Sequence, residues 1–212
     1  GTIGLVAQNQ DQDRDRDRDR DRVMLVDGDV LQIKDQDQIR LQDKITLNDG
    51  TVVHPDGTYM TKDQVRLRLR DGSCLDSDGV LYRNEYQYRY KIQQENKGLS
   101  AEQLRAKYQN QFHVMMIDGG MYQIKNQSQE QVRQQLKLNN GTVVNPDGSY
   151  QTQERAQLRL KEGECLNMDG EMYKNMFQHR KMINEKALNK NKIQNKSQIQ
   201  NKSQIKKTKK GI

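Results

Sequence analysis

The fold turns on a short phrase, NDGTVVHPDGTYMT at residues 48–61, because the chain writes it again as NNGTVVNPDGSYQT at residues 139–152. Each copy reads strand, turn, strand. Thr51-Val52-Val53 is β-branched and prefers an extended backbone. Pro55-Asp56-Gly57 then fixes one φ and frees another, which suits a tight turn. Thr58 to Thr61 returns as the second strand.

The match spreads outward from the phrase. Adding 91 to a residue number carries residues 23–84 onto 114–175 without a gap, and about half of the paired positions are identical. The flanking apolar positions repeat along with the loop, so a whole folding unit is duplicated. Asp-Gly pairs at Asp27-Gly28, Asp49-Gly50, Asp56-Gly57, Asp71-Gly72 and Asp78-Gly79 punctuate the first copy at hairpin intervals. Between them lie short Val, Ile, Leu, Thr and Tyr runs. Val65 to Arg70 and Gln157 to Lys161 alternate apolar with polar or charged residues, the pattern of a half-buried strand. The reading is mainly β with helical connectors: two homologous small antiparallel β-meander modules of six to eight strands, each burying its own apolar face, with disordered charged tails.

The turn-rich string, the NGTxVxPDGxY phrase and the endings LRDGSCLDSDGVLY and LKEGECLNMDGEMY resemble an uncharacterised secreted repeat domain of Gram-negative bacteria, a domain of unknown function. The resemblance covers residues 23–84 and 114–175. It implies export and brings no activity or catalytic residue with it.

Segments outside the copies divide by composition. Residues 1–22 open with a small apolar stretch, Gly1 to Gln8, read as the end of a signal peptide, followed by Asp-Arg alternation from Asp11 to Arg22, read as a solvated polyampholyte. Residues 85–113 form a helical connector: one helix ends at Gly98, and a second opens with a capping box at Ser100-Ala101-Glu102-Gln103. A further helix is expected over residues 176–190, then a disordered basic tail over 191–212, where IQNKSQ repeats with a period that fits no heptad. The net charge of +7 belongs to the end of the chain, since residues 180–212 hold eleven Lys or Arg against one Glu. The rest is mildly acidic, so the basic pI does not mark a folded nucleic-acid-binding domain. No apolar run is long enough to span a bilayer.

Candidate sites are few. Cys74 and Cys165 occupy the same position in each copy, so a disulfide would have to cross between copies; two buried inert thiols are the alternative. Cys165, Met168, Met172, Met176 and His179 crowd one segment. Soft sulfur ligands suit Cu(I) or Ag(I), although copy one has Ser77 and Leu81 where Met168 and Met172 stand, which favours packing. Asp76-Ser77-Asp78-Gly79 reads as a turn rather than a calcium loop. The three histidines are far apart in sequence, and GxSxG, Walker, HExxH and CxxC motifs are absent.

These observations lead to a non-enzymatic exported envelope protein, periplasmic or at the cell surface, built as a structural or binding module without a cofactor. The alternatives are a periplasmic copper or silver binder using the cluster of copy two, and binding of cell-envelope components, polyanions or membrane surfaces through the basic tail.

Overall fold

The computed structural model describes residues 20–209. The Asp-Arg run up to residue 19, the apolar opening and the last three residues lie outside them. The described residues form sixteen strands and three helices. Copy one supplies β1 (Arg22–Val26), β2 (Asp29–Arg40), β3 (Ile45–Thr46), β4 (Val52–Val53), β5 (Thr58–Met60), β6 (Arg66–Arg68), β7 (Cys74–Asp76) and β8 (Leu81–Tyr82). The helices α1 (Glu85–Asn96) and α2 (Ala101–Gln109) follow. Copy two repeats the series as β9 (Phe112–Ile117), β10 (Gly120–Gln131), β11 (Leu136–Lys137), β12 (Val143–Val144), β13 (Ser149–Gln151), β14 (Gln157–Arg159), β15 (Cys165–Asn167) and β16 (Met172–Tyr173). The helix α3 (Met176–Lys209) closes the described chain.

The repeated phrase folds as its residues dictate. Asp56 Oδ1 accepts from the Thr58 amide at 2.9 Å and from its hydroxyl at 2.7 Å, while Gly57 takes φ +92°. β4 and β5 thereby pair as a hairpin inside the meander β3-β4-β5-β6, and β11 to β14 form its twin. A side chain at Gly57 would meet Met116 Sδ at 2.8 Å. Met116 belongs to copy two, and that proximity reveals the topology.

The large sheet runs β16-β15-β1-β2-β10-β9-β7-β8, antiparallel throughout. The copies have exchanged their long hairpins. β1-β2 pairs with β15 of copy two, and β9-β10 pairs with β7 of copy one. One core gathers Val23, Leu25 and Val30 with Leu138, Val144, Tyr150 and Leu160; the other gathers Val114, Met116 and Met121 with Leu47, Val53, Tyr59 and Leu69. The expectation that each copy buries its own apolar face is therefore corrected. Each small meander is too short to cover its own inner side, and the hairpin of the other copy completes it. Turn acids fasten the exchange: the Glu162 carboxylate accepts from the Asp27 and Gly28 amides, each at 2.8 Å. Between β2 and β10, Asp35 lies opposite its own counterpart, Asn126, so a pseudo-twofold axis passes through this pair.

Two local readings also change. β6 and β14 are exposed along their whole length, with Leu67 at 46% and Leu158 at 48%, and only the following Leu69 and Leu160 are buried. These strands sit at sheet edges, so alternation alone did not guarantee a covered face. The last helix does not stop near residue 190 but continues to Lys209, where a disordered tail was expected. No Gly or Pro interrupts it, and Lys and Gln favour helix. Ser197 and Ser203 return their hydroxyls to the carbonyls of Ile193 and Ile199 at 3.1 and 2.9 Å. The connector follows the sequence closely: Asn84 caps α1, Gly98 follows it at φ +80°, and Ser100 and Gln103 complete the capping box of α2.

Candidate functional site

Charged residues fill the axis where an apolar core would be expected. Arg22 ends the Asp-Arg run and begins β1, Asp35 lies on β2, Glu85 and Arg89 lie one turn apart on α1, and Arg180 lies on α3. All five are at most 2% exposed. Asp35 Oδ2 accepts from Arg180 at 2.6 Å and from Arg22 at 2.7 Å, and its Oδ1 accepts from Arg89 at 3.1 Å. Glu85 Oε1 accepts from Arg180 at 2.6 Å and from Arg89 at 3.2 Å, and Oε2 accepts from Arg180 Nε at 3.1 Å. Asn126 and Gln129 on β10 add acceptors to Arg89.

Burial by itself would raise both carboxyl pKa values. For Asp35 the guanidiniums of Arg180, Arg22 and Arg89 override it and hold the group well below the usual range. For Glu85 the neighbouring Arg180, His113 and Arg89 do the same. The two histidines go the other way. His113 Nε2 lies 3.0 Å from Glu85 Oε1, yet burial pushes the ring down to about 4, against the pull of that carboxylate. His179 is driven well below its ordinary value by burial, with Arg22 and Arg180 adding to the effect. Both rings are neutral at neutral pH, so the five ionised groups leave one net positive charge in the interior. Isolated buried charges would be prohibitive; these persist because each carboxylate meets several donors.

The axis relates residues that are no longer alike. Arg22 faces the place of His113, Asp35 that of Asn126, Glu85 that of Met176, and Tyr88 that of His179; only Arg89 and Arg180 are the same. Copy one holds both acids. Copy two answers with an amide and a thioether, and Met176 Sδ accepts from Arg22 Nε at 3.1 Å.

Beside this core, α1, α2 and the strands β2 and β10 enclose a groove of about 1040 Å³. Eight of its twenty lining residues are Asn or Gln. Asn126 and Gln129 join its floor to the ionic core. Tyr108 is tied down, donating to the Gln129 carbonyl at 2.8 Å and accepting from Asn96 at 2.8 Å. The wall that α2 supplies has no counterpart after copy two among the described residues, because α1 stops at Asn96 and turns back into α2 while α3 runs straight on. A smaller cavity of about 400 Å³ lies over the axis, lined by related pairs such as Arg83 with Lys174 and Asn84 with Asn175.

The expected sites do not assemble. Cys74 and Cys165 lie on β7 and β15, five strand steps apart in the large sheet, about 24 Å at the usual strand spacing. Both are free and fully buried, so the inter-copy disulfide is corrected: the axis exists, but the cysteines sit far from it. Burial pushes the Cys165 thiol up to about 12. Of the soft-ligand set, Met168 packs in one lobe core, Met172 is 45% exposed on β16, and Cys165 and Met176 share another cluster. Met172 lies before the helix, so it does not share a helical face with Met176 and His179. Among the described residues no three His, Cys, Asp or Glu side chains gather as a metal site. Asp76 serves as a turn, accepting from the Asp78 and Val80 amides. The ionic core itself was missed. Arg22 is hidden in a low-complexity run, and the signal lay in Arg89 and Arg180, matched arginines on helices otherwise poor in shared identity.

A comparison with protein-family models matches residues 20–81 and 112–172 to the family described as Domain of unknown function (DUF6799). No curated protein and no solved structure matches the chain. The matched stretches cover more than half of the sequence and coincide with the two copies that exchange hairpins, so the chain belongs to the DUF6799 family and carries two tandem domains of it.

Proposed function

We propose that this protein is a non-enzymatic structural or binding module exported to the envelope of a Gram-negative bacterium. The observation that supports it is the axial core: its two carboxylates are fully buried and paired with arginines from both copies, which suits a clamp that holds two lobes in fixed relation. The turn-rich tandem repeat fits the same reading. No helix among the described residues is long and apolar enough to cross a membrane. Fractionation of cells expressing the full-length gene tests it. Recovery in the periplasmic or surface fraction is expected, and recovery only with cytoplasmic markers would overturn export.

A second reading concerns the far part of α3. Residues 186–209 hold eight lysines and no acid follows Glu185. Ile193, Ile199 and Ile205 are all exposed. Six residues advance a helix by about 600°, so these three point to different sides and form no single apolar face. This favours a polyanion over insertion into a bilayer surface. Binding to duplex DNA, used as a polyphosphate probe, is expected to weaken steeply with salt and to vanish when Lys196, Lys202 and Lys206 become Gln. Salt-independent binding would refute it.

A further inference from the structure

The groove beside the axis is built for a ligand that both donates and accepts hydrogen bonds. Gln36, Gln109, Gln127 and Gln131 stand exposed along it, and each amide offers a donor and an acceptor. At its inner wall Gln93 is 7% exposed. Its amide nitrogen donates to the Val26 carbonyl at 3.1 Å and to Asp29 Oδ2 at 3.2 Å, but its Oε1 has no partner among the described residues. That oxygen is sealed from solvent, so Gln93 anchors the inner wall and recognition falls to the exposed amides.

Charge and hydrophobicity narrow the class. Lys97, Arg105 and Arg133 rim the groove, and neither arginine makes an ion pair with a described residue. Two acids oppose them: Asp29, which is engaged by Gln93, and Glu130. The rim is therefore net positive. The apolar lining is modest: Leu99 and Leu104 are half-buried and Ala101 is exposed, which gives the C–H face of a sugar ring a surface to lie on among the amides. We propose that this groove binds an acidic oligosaccharide, its hydroxyls paired with the amides and its carboxylates with Lys97, Arg105 and Arg133. The volume is at the upper end of the range usual for ligand sites, about 300–1,000 Å³, which suits several sugar units.

The proposal rests on the reading of the chain as a binding module and adds the ligand class. Calorimetric titration of the full chain with a hexamer of galacturonic acid tests it, with maltohexaose as the neutral control. Binding is expected for the acidic hexamer and at least tenfold weaker for the neutral one. The variants Arg105→Ala/Arg133→Ala and Gln127→Ala/Gln131→Ala change exposed side chains, and each is expected to weaken binding at least tenfold with the thermal midpoint unmoved. Lys196→Gln/Lys202→Gln/Lys206→Gln, on α3, is expected to leave it intact. No binding by the wild type, equal affinity for both hexamers, or loss in the α3 variant alone overturns the proposal. A failed titration with a positive envelope fractionation removes the oligosaccharide and leaves the module.

Discussion

Among single residues, Glu85 carries the heaviest role. It lies 2.6 Å from Arg180, 3.2 Å from Arg89 and 3.6 Å from Arg22. Replacing it by Met, the residue its twin position holds, would leave three buried guanidiniums facing one carboxylate. Glu85→Met is expected to destabilise the fold by about 3–5 kcal/mol, read as a lower denaturation midpoint at an unchanged slope. A shift within experimental error would show that the pairs are dispensable. The histidines set the pH response. Both are neutral when folded, with His113 at about 4 against an ordinary value of 6.5. Below pH 6.5 the unfolded chain therefore takes up protons that the folded chain refuses. His113 alone removes about 3 kcal/mol between pH 6.5 and 4. Asp35 and Glu85, held below their ordinary values, contribute stability above those values and lose it as the pH falls further. Thermal midpoints should drop steadily from pH 7 to 4, and less steeply in His113→Gln. A flat profile would refute the neutral buried ring. None of this was legible one residue at a time: Arg22 looks like solvent-facing low complexity, and only folding places it against Asp35.

At the scale of elements, what the sequence shows depends on how local the cause is. Gly57, Gly98 and Ser100 act within a few residues, so their turn, helix stop and capping box could be read directly. Strand number per copy was equally local. The partner of each strand was not. β1 meets β15 and β9 meets β7 because a long-range choice between equivalent copies was made, and copies that share about half their residues give no signal for either choice. The edge strands show the same limit: Leu67 and Leu69 alternate identically, yet only Leu69 is covered. The far part of α3 is a third case, since helix propensity is local and burial is not. Residues 193–208 are exposed without interruption. Removing residues 193–212 should therefore leave the thermal midpoint of the body within about 1 °C, whereas stripping apolar packing from either lobe core would lower it by about 2–4 °C for each kcal/mol in a chain of this length. A large drop on truncation would mean that this segment folds back onto the lobes.

For the whole molecule, exchange makes two sequence copies into one mechanical unit. Both lobe cores draw on both copies, and three ladders cross between them: β1 with β15, β2 with β10 and β7 with β9. The covalent link between the copies passes through the exposed turn at Lys97 and Gly98. Had each copy closed on itself, a cut in that turn would release two resistant modules. With the hairpins exchanged, the cut removes one peptide bond and none of the ladders. A chain cleaved after Gly98, through an engineered protease site, should elute from a sizing column as the intact protein and separate only in denaturant. Each fragment purified alone should lack cooperative unfolding, because its meander is without the hairpin that covers it. Remixing the two should restore the transition, since the missing surface is the same surface in both directions. Two fragments that part under native conditions, each melting cooperatively, would show that the copies are self-contained and that the exchange is wrong.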